Sequence, residues 1–373
     1  MSTPRTQRRE LIRRRRRVVA LGAAVLVLAV AVGVSLTRDD GDAPRAAAPT
    51  GSSVVATTTR APTTTGAPTT TAVTAAPATT TGSLQAIDTG RRYAVGTRSL
   101  TFVDSSRSTS ANGSFGGAPT RTIPTEFWYP AQGASGGDPV ADAAPDNDHG
   151  PYPLVLFAHG YDVTPDFYAP LLTRWAAAGY VVAAPVFPIL SGSDGGASHV
   201  DYEKTFGDAS FVITQVLDLK GDPLAGLVDP ARIAAAGHSD GEVVSFGIGF
   251  LECCRDPRVR SVISMAGDLS NANNPSVRDT GTPILHIMET NDEYDPYEHS
   301  IQWDRDNLTA PRWMVSLNSS HVPPYTQPGD PAFELTSSIT IAFLDGTVKG
   351  VAGRLDDVTS LVTAQPAVGA IER

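Results

Sequence analysis

The chain has 373 residues, 41% of them apolar, enough to fill one large core or two small ones. Its net charge of −10 is unevenly placed: residues 1–17 hold eight arginines and one glutamate, so the rest of the chain carries −17. Such an acidic body argues against nucleic-acid binding, which needs a basic face, and the two adjacent cysteines, Cys253 and Cys254, fit neither a disulfide framework nor a zinc-site spacing.

The basic segment 1–17 is followed by 18–36, a run without a charged residue whose length is close to the ~20 apolar residues that span a bilayer. Basic residues ahead of such a run stay in the cytoplasm and place the remainder outside. The run is read either as an uncleaved anchor or as a signal peptide cut near Ala29-Val30-Ala31, and its continuation past that site favours the anchor. Residues 37–85 are dominated by Thr, Ala and Pro. They bury too little to offset chain entropy and form a disordered linker.

The folded part is expected over 86–346, with a short helix and tail over 347–373. Strands are expected at 93–103 and 123–129, then at 154–158, 181–184, 233–236, 262–266, 284–288 and 313–317. Helices are expected at 166–178, 209–219, 243–251, 294–303 and 331–344. Alternation of strand and helix implies a mostly parallel sheet with helices on both faces. The two early strands suit an antiparallel edge.

The chain is organised around Gly237-His238-Ser239-Asp240-Gly241, which joins the apolar run 233–236 to the helix 243–251. A G-x-S-x-G turn between a strand and a helix presents a strained, exposed serine, and the helix N-terminus behind it favours developing negative charge. Ser239 is therefore a candidate nucleophile. A nucleophilic serine needs a base, and His321 lies on the loop just past the strand 313–317, at the sheet end where the serine turn also opens. By contrast, His286 sits inside an apolar strand and reads as a packed core residue.

The base in turn needs an acid to fix its tautomer. The strand 284–288 runs into Glu289-Thr290-Asn291-Asp292-Glu293-Tyr294-Asp295, where Asp292 is the first candidate, Asp295 the second, and Glu293 and Glu289 follow. Two backbone N–H groups are expected to hold the oxyanion: that of Asp240, directly after the serine, and that of Tyr161, in the loop after 154–158. His159 reads as a brace for that loop. Tyr161, Phe187 and Ile189 follow strand ends at the expected mouth and are read as pocket-lining or as core. The cysteine pair is read as two small buried residues or as a vicinal disulfide.

Five stretches carry a resemblance: IPTEFWYPA (123–131), LVLFAHGY (154–161), GYVVAAPVFP (179–188), RIAAAGHSDG (232–241) and SLNSSHV (316–322). Together they span nearly all of 92–346. The sequence resembles serine α/β-hydrolases, and within them the branch holding cutinase-like polyester hydrolases, chlorophyllase-like proteins and platelet-activating-factor acetylhydrolases. The resemblance implies the α/β-hydrolase fold and hydrolysis of carboxylic esters through an acyl-enzyme, without a metal or other cofactor. Ser239, Asp292, His321, Tyr161 and Asp240 stand at its motif positions.

Three departures stand out. The elbow carries serine where the dienelactone hydrolases of the same fold carry cysteine. Glu242 replaces a small residue after the elbow, and Glu289 replaces the usual glycine after the acid-bearing strand. The expected function is an extracytoplasmic ester hydrolase acting on short-chain, lipid or polymeric esters, in contact with a membrane only through 18–36. The alternatives are an amidase or peptidase on the same fold, and a surface binding module without turnover.

Overall fold

The computed structural model describes residues 90–267, 276–278, 281–308 and 311–372. The expected membrane segment 18–36 and the linker 37–85 lie outside the described residues. Among the described residues, no helix is long and apolar enough to cross a membrane.

In chain order the elements are β1 (Ala94–Asp104), β2 (Arg121–Ala131), β3 (Val140–Ala141), β4 (Tyr152–Ala158), α1 (Ala169–Ala177), β5 (Val181–Pro185), α2 (Thr205–Leu217), β6 (Val228–His238) and α3 (Asp240–Phe250). Then come β7 (Val259–Met265), β8 (Ile284–Glu289), α4 (Tyr297–Asn307), β9 (Arg312–Leu317), α5 (Pro323–Thr326), α6 (Pro331–Thr347), α7 (Arg354–Thr363) and β10 (Gly369–Glu372). The strands form one sheet in the order β10-β9-β8-β7-β6-β4-β5-β2-β1-β3. From β5 through β9 the strands run parallel, β2 pairs antiparallel with β5, and β1 pairs antiparallel with β2.

The central strands are apolar on both sides because both faces of the sheet are covered. In β4 all seven residues are buried. Leu154, Leu156 and Ala158 face the layer that holds Ala209, Val212 and Ile213 of α2 and Val244, Phe246 and Ile248 of α3. Val155 and Phe157 face the opposite layer, with Leu171, Leu172 and Trp175 of α1, Phe333 and Ile339 of α6, and Val358 of α7. Each fully buried Phe or Leu of these layers contributes roughly 1.5–3 kcal/mol, so the two covered faces hold the sheet as a rigid platform.

Five elements differ from the sequence reading. Residues 369–372, expected as tail, form β10 and close the second edge antiparallel to β9. Four residues with alternating burial show too short a period to be read locally. The pair β3 and the single turn α5 are likewise below the length that periodicity resolves. Helix α2 begins at Thr205 and α4 at Tyr297, whereas the sequence reading starts these helices at 209 and 294.

Cys253 and Cys254, just after α3, are bonded to each other, the second of the two readings of that pair. Cys253 is exposed, so the pair is not a buried packing unit.

Candidate active site

Ser239 lies at the junction of β6 and α3 with φ 58 and ψ −124, a left-handed conformation for a residue with a side chain. Such a conformation costs on the order of 1–3 kcal/mol and persists only where the surroundings over-determine it. Here they do. Ser239 N–H donates to the Met265 carbonyl (2.9 Å), and the Ser239 carbonyl accepts from Glu242 N–H (2.9 Å). The flanking glycines are a steric requirement. A Cβ on residue 237 would stand 1.9 Å from the Gly241 carbonyl oxygen, and one on residue 241 would stand 2.1 Å from that of Ala158. The turn therefore closes only with glycine at both positions.

The other predicted residues follow the C-terminal ends of parallel strands. Tyr161 comes after β4, Asp292 after β8 and His321 after β9. Because these strands run parallel to β6 in the same sheet, all three loops emerge on the edge where Ser239 stands. There the structure brings His321 and Asp292 together, with Nδ1 2.6 Å from Asp292 Oδ2. The Asp292 carboxylate is fully buried, and its second oxygen accepts from the backbone N–H groups of Tyr294 (2.7 Å) and Asp295 (3.1 Å). Asp295 thus contributes its backbone to Asp292. Since Asp292 is an acceptor, Nδ1 of His321 carries the proton and Nε2 is left as the basic nitrogen.

Glu289, at the end of β8, is fully buried and accepts from the Tyr325 hydroxyl of α5. Burial drives its carboxyl well above the usual range, and the Asp292 and Glu242 charges push it further. One carboxylate oxygen each from Glu289 and Asp292 and one ring nitrogen of His321 lie within 4.8 Å of one another, the one grouping among the described residues with metal-ligand spacing. In this grouping the facing atoms of His321 and Asp292 are joined by a hydrogen bond. Glu242 is also fully buried, with Oε1 3.1 Å from Nε2 of His286, the histidine inside β8. Its place in the first turn of α3 favours a negative charge.

A hydrogen-bond relay connects the loop before Tyr161, the serine turn and the His321 loop. Gly160 N–H donates to the Tyr168 hydroxyl (3.2 Å), which lies 2.8 Å from His238 Nδ1. His238 Nε2 lies 2.9 Å from the carbonyl oxygen of His321, which only accepts, so Nε2 carries the proton and the Tyr168 hydroxyl donates to Nδ1. Burial holds His238 well below the usual histidine range, consistent with this neutral tautomer. His159 is neutral for the same reason, its pKa pushed down to about 4 by burial. It accepts from Phe187 N–H (3.0 Å) and, through Nδ1, donates to the Gly160 carbonyl (2.7 Å), which braces the loop before Tyr161.

From sequence, Phe187 and Ile189 are read as pocket-lining or as core. Phe187 and Ile189 are both fully buried, and Phe187 belongs to the core layer beside α2 and α3. Of the two readings, core is the one the packing supports, because Phe187 is drawn under the His159 ring (centroids 5.1 Å apart). The site-forming residues that the sequence reading missed are Tyr168, Tyr325 and His199. No spacing rule marks Tyr168 or Tyr325, since each acts through a partner 70 or 36 positions away. His199 Nε2 lies 2.5 Å from Asp240 Oδ2.

Residues 118–265 match the family model of chlorophyllase. No curated protein matches the sequence significantly. Many solved structures share the architecture. One is a ferulic acid esterase from Streptomyces cinnamoneus, 20% identical, with a TM-score of 0.60 over 78% of this chain and all of that one. With its strand order, its serine turn after β6 and this structural likeness, the chain is an α/β-hydrolase by fold.

Proposed function

We propose that the chain is a serine carboxylic-ester hydrolase in which Ser239 is the nucleophile, His321 the general base and Asp292 the orienting acid. The observation that carries this reading is the 2.6 Å contact of His321 with a buried Asp292 on the sheet edge that presents the strained Ser239. The chlorophyllase-model match and the esterase neighbour both support a carboxylic-ester hydrolase.

In the proposed reaction His321 Nε2 takes the proton of Ser239 as its hydroxyl attacks the ester carbonyl. The resulting oxyanion is held by the backbone N–H groups of Asp240 and Tyr161, with the α3 N-terminus adding a favourable field. His321 then passes the proton to the leaving alcohol and activates water to release the acid. Asp292 keeps Nδ1 protonated and stabilises the imidazolium that forms at each step.

We place this activity outside the cytoplasm. Support comes from the arginine block ahead of the uncharged run 18–36 and from the bonded cysteines, which suit an oxidising compartment.

The test is to treat the full chain with a fluorophosphonate and locate the adduct by mass spectrometry, with Ser239→Ala as control. One adduct on Ser239, absent from the control, is expected. No adduct on the folded chain would overturn the mechanism and favour a binding module. A panel of short-chain, long-chain, polymeric and feruloyl esters, the last prompted by the ferulic acid esterase neighbour, would then rank substrates.

A further inference from the structure

The two residues whose N–H groups are proposed to hold the oxyanion, Tyr161 and Asp240, lie on different strand ends, yet their side chains meet at one residue. His199 Nε2 is hydrogen-bonded to Asp240 Oδ2 at 2.5 Å. The face of the same imidazole stacks on the Tyr161 ring, with centroids 4.8 Å apart and planes inclined by 26°. Tyr202 closes the arrangement. Its ring meets His199 edge-on at 5.4 Å, and its hydroxyl donates to the Asp240 carbonyl (2.5 Å). The Tyr161 hydroxyl reaches the same loop and donates to the Ala197 carbonyl (2.7 Å).

The loop that carries His199 is itself seated on both sides of that residue. Near its middle, the Asn112 amide donates to the carbonyls of Asp194 (2.8 Å) and Gly196 (2.6 Å). Two residues after His199, the buried Asp201 accepts from Arg121 Nη1 (2.7 Å) and from Ser110 N–H (2.8 Å). Arg121 is fully buried and also binds Asp208 of α2 through two nitrogens (2.7 and 2.5 Å). Charges buried this way fix position more than they add stability. His199 is thus presented from a fixed loop to two residues on two other loops.

We propose that His199 is a positioning residue for the oxyanion site: by holding the Asp240 carboxylate and the Tyr161 ring at once, it sets the spacing of the two N–H groups that receive the developing negative charge. This rests on the hydrolase reading above. An exposed histidine–carboxylate contact adds little stability, so the effect belongs on the rate and not on the melting point. A misplacement of about 1 Å already costs rate where preorganised donors act.

The test uses the full chain with 4-nitrophenyl acetate as probe, reading kcat, KM, thermal midpoint and the rate of Ser239 phosphonylation. His199→Phe keeps the stack on Tyr161 and removes the hydrogen bond to Asp240. It is expected to lower kcat and phosphonylation roughly tenfold, below the 10²–10³ of losing a donor outright, with KM and midpoint unchanged. His199→Gln, which keeps an N–H donor, is expected to stay within about threefold of the parent. The double variant with Asp240→Asn is expected to be no slower than His199→Phe alone.

Parent-like kcat in His199→Phe would overturn the proposal. So would Gln falling as far as Phe, or the effects of His199→Phe and Asp240→Asn multiplying in the double variant. A parent chain that neither hydrolyses the ester nor labels at Ser239 would overturn the hydrolase reading itself. A parent that does both, beside an unaffected His199→Phe, removes only the role of His199.

Discussion

The backbone carbonyl of His321, the proposed base, accepts a hydrogen bond from Nε2 of His238, the residue directly before the proposed nucleophile (2.9 Å). Their rings lie 4.7 Å apart. The base loop is therefore anchored on the serine turn through a neutral, buried histidine whose other nitrogen is satisfied by Tyr168.

Tyr168→Phe removes the hydroxyl that donates to His238 and accepts from Gly160 N–H. Both partners are buried, and stranding them is expected to cost about 2–3 kcal/mol. Urea unfolding should show a lower midpoint with an unchanged slope, and ester hydrolysis should lose kcat more than KM. A variant that unfolds with the parent would show that the relay is dispensable.

Asp292→Asn and Asp295→Asn separate the two candidate acids. The first removes the acceptor at His321 Nδ1 and permits the wrong tautomer, for which a loss in kcat of roughly 10³–10⁴ is expected. The second leaves the Asp295 N–H on Asp292 in place and is expected to keep activity within about tenfold of the parent. Steady-state kinetics with one ester suffice, and the reverse ranking would transfer the role to Asp295.

Burial raises the Glu289 carboxyl well above the usual carboxylate range, and the nearby Asp292 and Glu242 charges push it further. A carboxyl whose pKa is raised on folding binds more protons in the folded state above its unfolded pKa. Its contribution to stability is then complete below about 4.5 and declines as pH rises through its folded pKa. Glu289→Gln imitates the protonated form and still accepts from Tyr325. Its gain over the parent in unfolding free energy should therefore grow from pH 5 to pH 8. Equal differences at both pH values would mean that Glu289 is ionised in the folded chain.

His159 shows the opposite sign. Its folded pKa of about 4 lies below the unfolded 6.5, so the unfolded chain takes up the proton first. Stability from this group is complete above 6.5 and is lost as pH falls from 6.5 towards 4, on the order of 3 kcal/mol in total. Following the His159 ring by NMR should show no titration until near pH 4. An inflection near 6.5 would place the ring in contact with water.

The sequence alone determined the fold class and where the parallel strands lie along the chain, because buried parallel strands are short apolar runs and their crossover helices are periodic. It also singled out Ser239, since a serine between a strand and a helix, flanked by glycines, is a local pattern with a local steric cause. Only the tertiary structure shows which of Asp292 and Asp295, three residues apart on one loop, meets His321, because that depends on which carboxylate the loop turns towards a residue 29 positions away. It also placed Phe187 and Ile189 in the interior and turned residues 369–372 into an edge strand. The relay through Tyr168 and His238, the Glu289–Tyr325 contact and the meeting of Tyr161 and Asp240 at His199 belong to the same class. Each joins residues from separate strand ends or helices, and such pairs leave no periodicity in the chain. They exist only because the parallel sheet brings its C-terminal loops to one edge.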